Sequence, residues 1–330
     1  MIGGTALGSL APGAASADTA RAYTHHATLT HLDPTDLTEL EETIDRLGAG
    51  YSAREPSELW PTAARHRHRV FTLQHEHRHT LGEARELAHH AGMLSVILAW
   101  IAHDLGKNDL VHAYCDDAWT QSQQAGHLEV GAWAEDVRST HALYANRPLD
   151  ALLAATRGMT VAPRNGNAAV RLSAQIARAH ARLGQADDFE RAAVLARNYQ
   201  QQLPLHGAGL FAVDAVRITS YDASSHVWLG HAVQARAAAD EAIGHYRSFP
   251  APYQAPTRLA IAQLDLAQAH SALGEPDAAI ATAREALDNS RLVDSIRARA
   301  RQLDRTLRRR YPQHPETAGF GEELRVRLAA

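Results

Sequence analysis

The stretch "LAQAHSALGEPDAAIATAREAL" (Leu266–Leu287) decides the fold class. Small and apolar residues recur at helical spacing on both sides of Gly274, so the segment reads as two helices joined by a tight turn. Glycine or asparagine at such a turn takes the left-handed conformation that ends the first helix. With Gly274 as zero, equivalent turns stand at Gly230 ("ASSHVWLGHAVQARAAADEAI"), Gly184 ("IARAHARLGQADDFERAAVLA"), Asn146 ("STHALYANRPLDALLAATRGM") and Gly106 ("AWIAHDLGKNDLVHAYCDDAW"). From the first turn to the last the spacings are 40, 38, 46 and 44 residues.

Small side chains test this register. Seven residues before each turn stand Ala99, Ser139, Ala177, Ala223 and Ala267. Five after stand Val111, Ala151, Phe189, Ala235 and Ala279. Nine after stand Cys115, Ala155, Ala193, Ala239 and Ala283, and twelve after stand Ala118, Gly158, Ala196, Ala242 and Ala286. Eighteen of these twenty are Ala, Gly, Ser or Cys, as antiparallel helices require when they approach closely. Leu105, Leu183, Leu229 and Leu273 precede their turns, where an apolar residue is expected to be buried.

The Leu266–Leu287 stretch closely resembles the second half of a tetratricopeptide repeat. The expectation is an all-α superhelix, a solenoid of antiparallel hairpins over residues 31–310, each hairpin completing a core that none makes alone. Upstream, Asp33 and Pro34 read as N-cap and first residue of a helix, a second helix runs from about Ser57 to His75, and Thr80 to Glu83 form a capping box. Downstream, Leu292, Ile296, Ala300, Leu303 and Leu307 form one stripe, which makes 292–310 the capping helix. Residues 1–30 read as a flexible Gly/Ala/Ser linker and 311–330 as a C-terminal tail. The Ala15-Ser16-Ala17 site mimics a secretory signal, but no Lys or Arg precedes the apolar part.

Composition agrees. Of 330 residues 65 are alanine and 6% aromatic, and runs of β-branched residues are nearly absent, so all-α is the default. A net charge of −4 makes no global case for nucleic acid or membrane. Lys107 is the lone lysine beside 32 arginines, as a GC-rich coding sequence would produce. Cys115 is the single cysteine, so no intrachain disulfide can form. No apolar run approaches the ~18 residues of a membrane span, and the cytoplasm is the expected compartment.

Several residues carry candidate chemistry. His103-Asp104 looks like the metal-binding step of an HD-type phosphohydrolase, with His77 or His79 as the earlier histidine and Asp136 or Asp150 as the later acid. Gly106 falls in register with four other turns, however, so the pair reads first as the end of a helix. Seven histidines crowd residues 66–90 (His66, His68, His75, His77, His79, His89 and His90). His75 and His79 have the i, i+4 spacing of a metal pair, but a turn is expected between them. His180, His226 and His270 recur four residues before their turns and are candidates for an inner groove. Arg297, Arg301, Arg305 and Arg308 share the face of the last helix opposite its stripe. No nucleophile triad, phosphate loop or cofactor motif stands out, so a non-enzymatic module without cofactor is expected.

Beyond the repeat, the order of parts is similar to the tetratricopeptide sensor region of actinobacterial helix-turn-helix (XRE-type) transcriptional regulators. The resemblance rests on "IGGTALGSLAPG", "DPTDLTELEETIDRLGAGY", "ELWPTAARHRHRVFTL" and "LAWIAHDLGKNDLVHAYCDDAW" in that order, then "AWAEDVRSTHALYANRPLDALLAATRG". It covers about residues 30–310. It implies a sensor that takes a peptide, a protein segment or a small signalling molecule in its concave groove, with a homodimer as one arrangement. The helix-turn-helix itself is absent, so specific DNA binding is not carried to this chain. The clamp variety of these repeats uses Lys and Asn to hold a terminal acid, which a single lysine disfavours. The alternatives are the metal phosphohydrolase and a structural assembly scaffold.

Overall fold

Gly106, Asn146, Gly184, Gly230 and Gly274 all adopt left-handed backbone, with φ of +68, +58, +76, +77 and +88°. At each of them the next residue's N–H reaches back to a carbonyl of the preceding helix. The pairs are Lys107 to Ala102 (2.8 Å), Arg147 to Ala142 (2.8 Å), Gln185 to His180 (3.0 Å), His231 to His226 (2.9 Å) and Glu275 to His270 (3.0 Å). This is the six-to-one bond of a Schellman motif, which satisfies an orphan carbonyl at the helix end. One backbone device, repeated five times, builds the hairpins.

The computed structural model describes residues 16–203, 209–249, 254–288 and 291–329. These are 81% helical, with fifteen α-helices and no strand among them. In order they are α1 (Ala17–Thr28), α2 (Asp36–Ala49), α3 (Pro56–Glu76), α4 (Leu81–Asp104) and α5 (Asn108–Ala125). Then come α6 (Leu128–Tyr144), α7 (Pro148–Met159), α8 (Asn167–Arg182), α9 (Ala186–Gln201) and α10 (Ala215–Leu229). The last are α11 (Ala232–Ser248), α12 (Pro256–Leu273), α13 (Pro276–Leu287), α14 (Asp294–Arg310) and α15 (Pro315–Ala329). A 3-10 turn, Tyr51–Ala53, separates α2 from α3. The expected all-α superhelical architecture is present.

Curvature follows from which helices touch. Successive even-numbered helices from α4 to α14 pack on one another, whereas among the described residues α5, α7, α9, α11 and α13 pack chiefly on their even-numbered neighbours. The even set therefore forms the tight inner layer and the odd set the splayed outer one. All twenty positions of the small-residue register are buried. Large side chains there would hold the paired helices apart.

The superhelix closes on itself. α14 packs against α4, and the 3-10 turn packs against α12. Arg291, just before α14, joins these ends by an ion pair to Asp104 at 2.8 Å and a hydrogen bond to the Arg54 carbonyl at 2.7 Å. The described part of the α9–α10 connection crosses the centre and is tied to α2 by the Leu210 N–H to Gly48 carbonyl bond at 2.9 Å. Gly209 is required there: φ is +111°, and a Cβ would lie 2.7 Å from the Gly48 oxygen.

Three boundaries differ from the sequence expectation. α2 begins at Asp36 rather than after Asp33, because the Asp33 carboxylate accepts from the Thr35 N–H at 2.9 Å and its hydroxyl at 2.6 Å. That is a local turn of the kind aspartate forms with its own backbone. The segment read as a tail is α15, whose Phe320 and Leu324 are buried in the same cluster as Leu303 and Leu307 of α14. α15 therefore follows α14, which is internal to the solenoid rather than its terminal cap. In the segment read as a linker, residues 17–28 form α1, capped by Ser16 and with no buried residue. The rest of it, 1–15, lies outside the described residues. The capping box at Thr80 and Glu83 is present. None of the four pre-turn leucines is buried: Leu183, Leu229 and Leu273 are half-buried and Leu105 stays 39% exposed, its turn faced by Asp294 rather than by apolar packing. No described helix is long and apolar enough to cross a membrane.

Candidate functional site: a cavity at the centre of the superhelix

Closing the inner layer leaves a cavity of about 110 Å³ between α4, α6, α8, α10 and α12, lined also by Tyr51, Leu210, Tyr246 and Arg291. Helical spacing aims the lining inward. Arg171 and Arg178 lie seven residues apart on α8, and Arg217, Ser220, Tyr221 and Ser224 form one stripe on α10. Trp100, His103 and Asp104 contribute from the end of α4, and Thr140 and Tyr144 from α6.

Charge sets its character. Arg171, Arg178, Arg217 and Arg291 reach the lining at 2–3% exposure, and Arg258 is half-buried beside them. Two of these have carboxylate partners: Arg171 pairs with Asp136 at 2.8 Å and Arg291 with Asp104 at 2.8 Å. Just behind the lining, Arg299 pairs with Asp265 at 2.5 Å. Arg178, Arg217 and Arg258 form no ion pair with a described carboxylate. Arg178 donates to the Gln175 side chain at 2.8 Å and lies over the rings of Tyr221 (4.6 Å), Trp228 (5.5 Å) and Tyr144 (5.8 Å). Among the described residues the Arg217 guanidinium donates to the Gly209 and Leu210 carbonyls, at 3.1 and 3.4 Å, and that of Arg258 to the Gly209 carbonyl at 3.0 Å. Burial, then the neighbouring Arg171, push the Arg217 guanidinium below its ordinary range. Burial raises the Asp265 carboxyl, against the pull of Arg299.

His103 and Asp104 do more than end a helix. Asp104 accepts from the Tyr51 hydroxyl at 2.7 Å as well as from Arg291. His103 is 3% exposed and its Nδ1 lies 3.3 Å from Nδ1 of His141. Burial lowers its pKa and outweighs the pull of Asp104 and Asp294. The His141 ring is held down to about 4, by burial and then by His103 and His112.

The remaining sequence candidates fall elsewhere. His77 and His79 precede α4 whereas His103 and Asp104 end it, and a 24-residue helix spans about 36 Å. These four side chains cannot share one metal ion. Asp136 is committed to Arg171, and Asp150 is an exposed partner of Arg147 on α7. Among the described residues no group of three or more His, Cys, Asp and Glu side chains is placed to hold a metal. In the 66–90 cluster, the His75 ring stacks on Phe71 at 4.2 Å and bonds its carbonyl, while His89 packs on His127 at 4.7 Å. His180, His226 and His270 do not line the cavity. Each reaches the residue five positions on, across its own turn: Gln185 (2.7 Å), His231 (3.4 Å) and Glu275 (2.5 Å). They brace the hairpin ends.

Sequence reasoning missed the arginines, yet a signal existed. Arg171 and Arg217 both stand thirteen residues before their turns, and Trp100, Thr140, Arg178 and Ser224 all stand six before theirs. Of the α14 arginines singled out from the sequence, Arg301 and Arg305 line a second groove with Arg182, Trp228 and Tyr144, and Tyr144 belongs to both spaces.

The fold defines the class: an all-α superhelix of stacked hairpins with an internal cavity. The chain is similar to BtubC (BKLC) from P. vanneervenii, whose crystal structure aligns with a TM-score of 0.50 at 11% identity, over 71% of this chain and 90% of that one. That likeness concerns the fold alone. No protein-family model matches the chain, and no curated protein matches it.

Proposed function

We propose that this chain is a non-enzymatic binding module that takes a small molecule into the centre of a closed superhelix. The observation that carries this reading is the closure itself. An open solenoid offers a long groove suited to an extended peptide. Here Arg291 and Asp104 join the two ends, and Gly209-Leu210 crosses the middle, so the inner face holds a cavity of about 110 Å³ beside the second groove. Such a volume suits a small signal better than a protein segment. The tetratricopeptide resemblance adds a regulatory context: a cytoplasmic sensor whose occupied state is read by a partner. The separation of His77 and His79 from His103 and Asp104 weighs against the phosphohydrolase alternative, and the closed cavity supports a ligand-binding module over a pure scaffold.

The test is a thermal-shift screen of small metabolites and ten-residue peptides against the full chain and its Ile261→Trp variant. Ile261 lines the cavity, so the indole fills it. The proposal requires a small molecule that raises the melting temperature saturably in the parent and not in the variant; occupancy at a hundredfold excess over Kd adds about 2.7 kcal/mol. Peptides that bind equally well to both proteins, with no cavity-dependent small ligand, refute it.

A further inference from the structure

We propose that the ligand of this cavity is a compact organic oxyanion, an acid group on a flat apolar body, clamped by Arg178 and Arg217. The inference rests on the small-molecule reading above and adds the chemistry of the ligand.

Donors in excess of acceptors are the first observation. Arg178 is 2% and Trp100 8% exposed, and both line the cavity with an N–H that has no partner among the described residues: Nε of Arg178 and Nε1 of Trp100. Buried donors are normally satisfied, and each that is not carries a cost that a ligand acceptor would remove. Arg217 engages two backbone carbonyls, which occupy two of its five N–H donors without neutralising its charge.

Charge is the second. Asp104, Asp136 and Asp265 are each held by another arginine. Asp214 attracts Arg217 from beyond ion-pair distance, while its Oδ1 caps α10 on the Arg217 N–H at 2.7 Å. The undescribed internal segments 204–208, 250–253 and 289–290 contain no Asp or Glu. The buried guanidiniums of Arg178 and Arg217 thus have no ion-pair partner among the described residues, with Asp265 and Asp214 acting on them only from beyond contact distance. A desolvated cation without a counter-ion is costly, and a planar guanidinium fork matches an oxyanion two bonds at a time.

Shape is the third. Tyr221 and Trp228 hold Arg178 by its π-faces, so the fork is oriented before ligand arrives. Tyr51, Trp100, Tyr144 and Tyr221 give aromatic walls against which a flat ring packs.

The probes are benzoate and phenyl phosphate as acids, benzamide as the neutral isostere and benzylamine as the cation, titrated into the wild-type chain with thermal shift and tryptophan fluorescence as readouts. Both acids are expected to bind at least about tenfold more tightly than benzamide, with benzylamine silent, since charge-assisted bonds are roughly twice as strong as neutral ones. The two acids separate carboxylate from phosphate as the group preferred. Arg178→Gln and Arg217→Gln, checked for helicity by circular dichroism, should each weaken the preferred acid by about tenfold or more. Because the charge series uses the unaltered chain, it stands even where a variant misfolds. Benzamide binding as tightly as benzoate, or no response to either acid at 10 mM, overturns the inference. A neutral ligand that binds and is blocked by Ile261→Trp would then leave the small-molecule reading intact. Absence of any ligand sensitive to that variant sinks both.

Discussion

Replacing Asp104 with alanine should open the ring. Its carboxylate accepts from Tyr51 at 2.7 Å and pairs with Arg291 at 2.8 Å. The two side chains of the pair are 7% and 3% exposed, so solvent screens them little. Removing one partner of a buried pair costs about 3–5 kcal/mol, because the other charge stays buried without compensation. Arg291 retains the Arg54 carbonyl and the Thr257 hydroxyl, which places the expected loss at the lower end, about 3 kcal/mol. The loss falls on the contact between the ends, so the first change should be a larger radius of gyration by small-angle scattering, before helicity falls in urea. Asp104→Leu combined with Arg291→Met removes both charges and should recover most of the stability. An Asp104→Ala protein with unchanged dimensions and a loss below about 0.5 kcal/mol, the scale of an exposed pair, refutes the clasp.

Ala279→Leu should cost about 1–3 kcal/mol by chemical denaturation, because Ala279 is fully buried at a close helix contact. Gly230→Ala should cost about 1 kcal/mol, since alanine is strained at φ +77°, whereas Asn146→Gly at φ +58° should be neutral within a few tenths. The buried His141 has its pKa lowered from 6.5 to about 4. The unfolded chain therefore binds more protons in that window, and stability is full above pH 6.5 and falls towards pH 4. His89 is lowered to about 4 as well, so the slope of the urea midpoint across this range should be reduced in His141→Gln, and further when His89→Gln is added. In a mobility-shift titration, the chain should show only weak, salt-sensitive DNA binding; sequence-selective nanomolar binding would show that a helical hairpin reads the major groove.

Much of the fold was legible because hairpin packing leaves a local signature. The five turn residues and the twenty close-contact positions fall where small side chains and left-handed backbone are needed, and both requirements are written within about twenty residues of each turn. Closure was not legible. Asp104 and Arg291 are 187 residues apart, and neither stands out in a chain with 32 arginines. α15 escaped because its fully buried apolar side chains among the described residues are Phe320 and Leu324, with Leu328 partly buried beside them, too short a pattern to set against the charges around it. His103 and Asp104 posed a false choice between turn and chemistry, since they end a helix and also face the cavity. The histidine column attracted attention by recurrence, but four residues before the turn points a side chain across its own hairpin. The cavity arginines lie six and thirteen before it, where they pass for compositional background.

Closure is the claim on which the cavity, its charge and its ligand all depend. Spin labels at Asn108, beside the end of α4, and at Arg297, in the first turn of α14, measure it by pulsed electron resonance. Cys115 does not interfere, since it is buried and its thiol is pushed up to about 12. In an uncurved stack, five inner-helix steps of roughly 9 Å would set the labels about 45 Å apart. The closed superhelix predicts one narrow distribution below about 25 Å, two or three helix spacings including the labels. A broad distribution centred beyond about 40 Å, the spacing of an open stack, would contradict it.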